Sequence, residues 1–330
     1  MKLPFGFQPL NAAQKIYADF GVPVPAGVDD TPPTPVEHDE LCIENITENE
    51  GTLSIINKWV NKERFTIDVQ YCINDGKWTT VNVNKWDGTT KGNKTVEVTV
   101  PAGGKVYLRG NNPNGTGEMR QWLYLNMDVN HNVSGHILSM IDRKKFYSVP
   151  AGSNPNFLHL FESDNNLISA ENLILSGSTV LYEEYNMMFS FCIGLIAAPD
   201  MSGITTIEQS GCNCMFSFCT SLTTPPDMSG ITTIEQNGCS QMFLNCTSLT
   251  TAPDLSSVTS VGNYGCQEMF TDCSLLNYVK CPNINSWNSD NFTRWMTRVS
   301  ETGTFVKPSS LEIPVDSENG IPTGWTVETY

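Results

Sequence analysis

Charge is what this 330-residue chain is shortest of: only 16% of it is Asp, Glu, Lys or Arg, and 19 basic residues face 35 acidic ones, a net charge of −16. Such a surface repels a phosphate backbone, which excludes nucleic-acid binding as an expected function. The deficit is also local. Not one Lys or Arg occurs from Phe146 to Val279, a stretch that holds 12 acidic residues, and an anionic membrane surface is an equally poor partner. Long apolar runs are missing as well. No stretch of roughly 18 apolar residues could cross a bilayer, and the N-terminal residues have no apolar segment of a secretory signal. The expectation is a protein made in a cytoplasm, without export signal and without membrane insertion.

Catalytic signatures are equally scarce. The four histidines, His38, His131, His136 and His159, lie in no HExxH pattern and beside no nucleophile motif. There is no G-x-S-x-G, no Walker loop and no G-x-G-x-x-G after a strand. Hence no catalytic residue, metal or cofactor is expected. With 25 Gly and 19 Pro the composition also argues against a helix-dominated fold.

What the chain does have is repetition. Aligned on their Met-Phe pairs at Met188, Met215, Met242 and Met269, successive segments repeat with a period of 27 residues, and a fixed period of this length decides architecture before local propensity does. Phe189, Phe216, Phe243 and Phe270 recur in step, as do Leu195, Leu222, Leu249 and Leu276. Upstream, the segment from Leu160 fits the same template with Asp164 where the others carry Cys, as a capping turn would. Each unit reads as one coil, with Leu-Thr-Thr-x-Pro-Asp as a short strand and Gly-Cys-x-x-Met-Phe as a short helical or irregular turn. Stacked coils place equivalent side chains in ladders about 4.8 Å apart.

The period explains most of the 11 cysteines. Cys192, Cys219, Cys246 and Cys273 form one ladder and Cys212, Cys239 and Cys266 a second, small enough for crowded interior corners. Zinc is the rival, but paired C-x-x-C units are lacking and Cys212-x-Cys214 alone is weak. Asp200, Asp227 and Asp254 fall on successive coils. Each follows a Pro and is expected to cap its own turn; the alternative is a carboxylate pair of a polysaccharide-cleaving surface. Thr223, Thr224, Thr250 and Thr251 form a polar ladder that, with Asp200, Asp227 and Asp254, is the expected binding face, an acidic, Thr-rich surface that suits an extended partner better than a deep pocket.

Before the repeats, LSIINKWV, FTIDVQYC, KWTTVNVN, TVEVTV and KVYLRG alternate as antiparallel strands, with Asn74-Asp75-Gly76 as a hairpin signal. A Pro-rich linker at Thr31–Pro35 and an acidic stretch precede them, and one short helix is expected around Asn11 to Phe20. The fold class expected is mainly β with short helices. Its parts are a docking segment with linker at 1–36, an antiparallel β-sandwich at 37–133, a solenoid of 27-residue coils at 134–290 and a C-terminal cap at 291–330. Phe305, Trp325 and Tyr330 are the aromatics expected to close the open end of the stack.

The repeat Phe243 to Leu255, FLNCTSLTTAPDL, resembles the BspA-like class of leucine-rich repeat. That class occurs in surface proteins of anaerobic gut bacteria and in head or tail fibre proteins of the phages that infect them, crAss-like phages among them. The flanks, Gly135-His136-Ile137-Leu138-Ser139-Met140-Ile141, Ser169-Ala170-Glu171-Asn172-Leu173 and Gly320-Ile321-Pro322-Thr323-Gly324-Trp325, are similar to the same modular arrangement, which covers about residues 40–330. The resemblance implies adhesion or protein contact. With no export signal read, it implies a virion-surface protein. Residues 1–36 would join capsid or tail proteins, a trimer or dimer would form, and the repeats would meet a host surface glycan or protein. The alternatives are a bacterial cell-surface adhesin and a polysaccharide-cleaving tailspike.

Overall fold

The structure is a computed structural model describing residues 39–59, 67–74, 76–81, 83, 94–113, 115–118, 121–144, 155–175, 177–316 and 318–330. The segment 1–36, its linker and the helix expected near Asn11 lie outside these residues. Strands are β1 (Leu41–Asn45), β2 (Gly51–Trp59), β3 (Val69–Ile73), β4 (Thr79–Val81), β5 (Lys94–Val100), β6 (Lys105–Arg109), β7 (Gly117–Glu118), β8 (Gln121–Met127), β9 (His131–His136) and β10 (Leu167–Ile174). They continue with β11 (Thr179–Val180), β12 (Thr206–Ile207), β13 (Thr233–Ile234), β14 (Ser260–Val261), β15 (Tyr278–Lys280), β16 (Thr304–Lys307) and β17 (Thr326–Thr329). Helix is confined to two short 3₁₀ stretches, Ile137–Met140 and Ser289–Phe292, so the described chain is mainly β with almost no helix.

Two sheets are built from the strands before the repeats, one of them joined by β10 of the first, capping copy. One has the order β10-β9-β1-β6-β3-β4, antiparallel except where β10 joins β9, and the other has the antiparallel order β5-β2-β8-β7. The two-residue period of strands turns alternate side chains inward. Along β2, Leu53 and Ile55 are buried between half-buried neighbours, and Leu123, Leu125 and Met127 of β8 meet them in the same apolar cluster as Leu41, Ile43, Val106 and Leu108 of the other sheet. The acidic stretch that precedes these strands in the sequence hides β1. Leu41, Cys42 and Ile43 are buried there between β6 and β9, while Glu40 and Glu44 pair with Arg109 (3.9 Å) and Lys105 (3.5 Å).

In the repeat region the third sheet, β11-β12-β13-β14, pairs in parallel and in register: Thr206 with Thr233, Ile207 with Ile234, Thr233 with Ser260. Here the strand differs from the expected one. Thr-Thr-Ile carries it, whereas Leu-Thr-Thr-x-Pro makes only single parallel bridges at Ala197, Thr224 and Thr251. The reason is Pro225, Pro226 and Pro253, which have no N–H for a ladder, next to β-branched residues with no proline at 231–234 and 258–261. The Gly-Cys-x-x-Met-Phe segment is a run of turns with no helix in it. Every fourth residue, as at Ser210, Cys214 and Phe218, has φ of 54–62°. Alternate N–H groups close a turn within the copy or reach the next copy, as when Phe189, Phe216 and Phe243 N each donate at 2.9 Å to Met215, Met242 and Met269 O. These inter-copy bonds hold residues that are not glycine in a left-handed conformation that costs roughly 1–2 kcal/mol each.

The interior of the copies is a set of ladders. Phe161, Phe189, Phe216, Phe243 and Phe270 stack with ring centroids 5.4–5.6 Å apart and planes within 10°, and all five are buried. Beyond them Trp295 continues the column tilted at 57° to Phe270, Phe305 meets Trp295 edge-on, and Trp325 is buried in the same apolar cluster; Tyr330 is 46% exposed. The last sheet, β15-β16-β17, is parallel as well.

The boundary expected at 133/134 falls inside β9, which pairs with β1 on one side and β10 on the other. The seam there is polar. His131 is buried with Nε2 3.1 Å from Asp164 Oδ2 and Nδ1 3.0 Å from Val129 O, and Asp164 sits at the position of the ladder cysteines. Leu125 N and His131 N donate to Leu160 O (2.7 Å) and Asn166 O (3.0 Å). Gly115, at φ +88°, lets the chain lie directly against the backbone of Asn156, where any Cβ would collide.

Candidate functional site

The cysteines come first, because their chemistry sets what the copies can do. Cys192, Cys219, Cys246 and Cys273 are buried, and each Sγ donates to a phenylalanine carbonyl of the preceding copy, Phe161, Phe189, Phe216 and Phe243 O, at 2.9–3.1 Å. Burial pushes these thiols up, Cys273 to about 12, and Cys266 of the second ladder to about 12. Thiols held this far above neutral pH stay protonated and are poor nucleophiles and poor metal ligands. Cys214 is the half-buried member of the set. Its Sγ lies 3.2 Å from Gln241 Oε1, Gln241 donates to Glu268 at 2.6 Å, and Arg294 pairs with Glu268 at 3.0 Å, a polar column across four copies. Among the described residues no three His, Cys, Asp or Glu side chains converge as a metal site.

The Asp column is committed to the backbone. Oδ1 of Asp200, Asp227 and Asp254 accepts from the N–H two residues on, Ser202, Ser229 and Ser256, at 2.8–2.9 Å. This is the turn-capping geometry expected of Asp after a corner. Lys280 closes the column by donating to Asp254 Oδ2 at 2.8 Å. Burial pushes the Asp254 carboxyl up, but the bonds from Lys280 and Ser256 outweigh it and leave it below the ordinary carboxylate range. A general acid needs the opposite, a carboxyl raised toward the working pH.

The Thr residues divide into two classes. Thr205, Thr232 and Thr259 spend their hydroxyls on the stack, donating to Ser178, Thr205 and Thr232 O at 3.0–3.3 Å. Thr223, Thr224, Thr250 and Thr251 are exposed, and their hydroxyls make no hydrogen bond within the described residues. Their backbones are fixed all the same: Thr223 and Thr224 N both donate to Ile196 O at 3.1 Å, and Thr250 O accepts from Asn277 N at 2.9 Å. The result is two adjacent pairs of unsatisfied hydroxyls on a backbone tied at both sides. In the preceding copy the same positions turn apolar. Ile196, 45% exposed, and the buried Ala197 stand where the next copy has Thr223 and Thr224; Ile193, also 45% exposed, stands at the position of Thr220, and the exposed Phe191 stacks on Phe218 at 4.5 Å. The repeat alignment contains this change from Ile to Thr, but its exposure becomes visible only once the outer surface of the copies is known.

No family model, curated protein or solved structure matches the chain.

Proposed function

We propose that the repeat region is a leucine-rich-repeat solenoid of 27-residue coils, that residues 37–133 form a β-sandwich, and that the whole is a non-enzymatic structural protein of a phage virion, a fibre or capsid decoration used for adhesion. Support for the solenoid comes from the parallel register of β11 to β14 and the phenylalanine column. The two antiparallel sheets with one shared apolar cluster support the sandwich. Adhesion rests on one observation, the four exposed Thr hydroxyls left without partners on a hydrogen-bonded backbone, in the same segments as the Asp200, Asp227 and Asp254 column and beside Thr205, Thr232 and Thr259, which spend their hydroxyls within the stack. A hydroxyl already ordered by the fold loses little freedom on contact, so a regular array of them favours an extended glycan or protein. In this reading residues 1–36 dock on capsid or tail proteins, the assembly is a homotrimer or homodimer, and the partner is a host surface glycan or protein.

The experiment is direct. Fluorescently labelled full-length chain is mixed with a panel of anaerobic gut bacteria, and the expected result is saturable labelling of at least one strain. Absence of labelling across the panel overturns adhesion.

A further inference from the structure

The parallel sheet of the repeats ends at β14, which has β13 on one side and, among the described residues, no strand on the other. Inside the sheet, each copy hangs from a carbonyl of the copy before. Ser178 O accepts from Thr205 N, Thr206 N and the Thr205 hydroxyl; Thr205 O and Thr232 O each accept the same three donors from the copy that follows. The fourth carbonyl of the series, Thr259 O, receives no donor among the described residues. The chain that should supply one bows away. Asn283 N meets Val258 O at 2.8 Å, and the next bond to the edge is the Asn291 amide on Val261 O, also at 2.8 Å.

Between those two bonds lies a cavity of about 300 Å³. Six of its eight lining residues, Thr259, Ser260, Asn285, Ser286, Asn288 and Asn291, carry a neutral hydroxyl or amide, and none of the eight carries a charge. Ser260, Asn285 and Ser286 are exposed, and their side chains make no hydrogen bond within the described residues. The geometry separates two kinds of occupant. A strand added by a partner protein would have to run along β14, but the bonds at Val258 and Val261 close the cavity at both ends, only about 10 Å apart at the rise of a strand. A small ring entering from the open side meets no such obstruction. It has an open carbonyl to donate to and hydroxyls and amides that both donate and accept, while an ionic ligand finds no counter-charge. The volume lies at the small end of ligand pockets, roughly 300 Å³ upward.

We propose that this cavity at the end of β14 is a subsite for one neutral sugar residue of a glycan. The inference rests on the adhesion reading above and names the chemistry of part of its partner. Saturation-transfer NMR with the full-length chain tests it, using the methyl glycosides of glucose, galactose, mannose and N-acetylglucosamine, with methyl glucuronide as the charged comparison. The expected result is transfer to at least one neutral glycoside, with Kd of about 1 mM, and little to the glucuronide. Ser286→Trp fills the cavity from an exposed position and should weaken binding at least about tenfold, the loss of roughly one good hydrogen-bonding pair. Asn285→Ala gives a second reading if the tryptophan lowers the unfolding midpoint. Silence from every neutral glycoside, or undiminished binding in both variants at an unchanged midpoint, overturns the subsite. A chain that labels cells but binds no glycoside defeats only this inference. A chain that binds glycoside at the cavity but labels no cell defeats only the adhesion reading.

Discussion

Between β1 and β9 the chain finds partners far away in sequence, Leu41 beside Leu108 and Ile55 beside Leu125, and holds them by burying branched aliphatic side chains. From Leu160 onward every copy meets the one before it, and the interior is made of identical residues in columns, Phe on Phe and Cys beside Phe. The contrast is one of error tolerance. In the sheets a residue is matched to different neighbours, so a shift of one position turns every side chain over. In the copies, identity makes any one-period match equally good, and specificity has to come from the ends. Those ends are where the pattern breaks: the Asp164 pairing with His131 at one, and Trp295 continuing the phenylalanine column at the other. The outer surface follows the same division of labour, since the copies that share a buried column differ outside, Ile196 in one and Thr223 and Thr250 in the next two.

The largest expected effect separates the regions by pH. The folded thiols of Cys266 and Cys273 sit near 12, against an ordinary 9.0, because burial penalises the thiolate. A group raised on folding stabilises fully below its unfolded value and loses that contribution as pH climbs toward the folded one. Stability should therefore fall above about pH 9, by roughly 1.4 kcal/mol per pH unit for each such thiol until about pH 12. Urea midpoints at pH 8 and pH 10.5 read this; Cys42 of β1 is also pushed up, to about 11, but the two cysteine ladders hold seven raised thiols, so hydrogen exchange should show the copies opening before β1 to β9. Simultaneous opening of both regions breaks the comparison.

Next in size is Phe216→Ala, which removes a buried ring from between Phe189 and Phe243. A loss of about 3–5 kcal/mol is expected, with faster amide exchange in the copies on either side and little change in β2 and β8. Uniform acceleration across the chain would show that the copies have no stability of their own. The smaller effect comes from Asp227→Ala, which removes one exposed turn bond to Ser229 N. About 1 kcal/mol is expected from the urea midpoint, with release of reducing ends from host capsule absent before and after the change. Release that the substitution abolishes would make the Asp column catalytic.

Much of this architecture was legible because duplication writes it twice: the period, the Phe and Cys columns and the turn-capping Asp all follow from alignment of the copies. The strand did not. Leu-Thr-Thr looks more like a strand than Ile-Thr-Thr-Ile until the proline behind it is weighed as a missing donor. β1 was concealed by Glu40 and Glu44, whose partners Arg109 and Lys105 come from a strand 60-odd positions away, information no local window holds. The cavity beside β14 was invisible for a related reason, since it exists because the chain after Cys281 fails to repeat, and nothing in the residues Asn283 to Asn291 says what they fail to cover. The Thr face was half legible. Its residues stand out as a ladder, but Thr205 and Thr232 do as well, and only the hydrogen bonds tell the occupied hydroxyls from the open ones.

That distinction offers the most direct test. A variant with Thr223, Thr224, Thr250 and Thr251 all changed to Ala should unfold at the wild-type urea midpoint, because those hydroxyls bond nothing inside the fold, and should lose at least about tenfold in labelling of a strain that the unmodified chain labels. Equal labelling by the two proteins at equal stability would contradict the account.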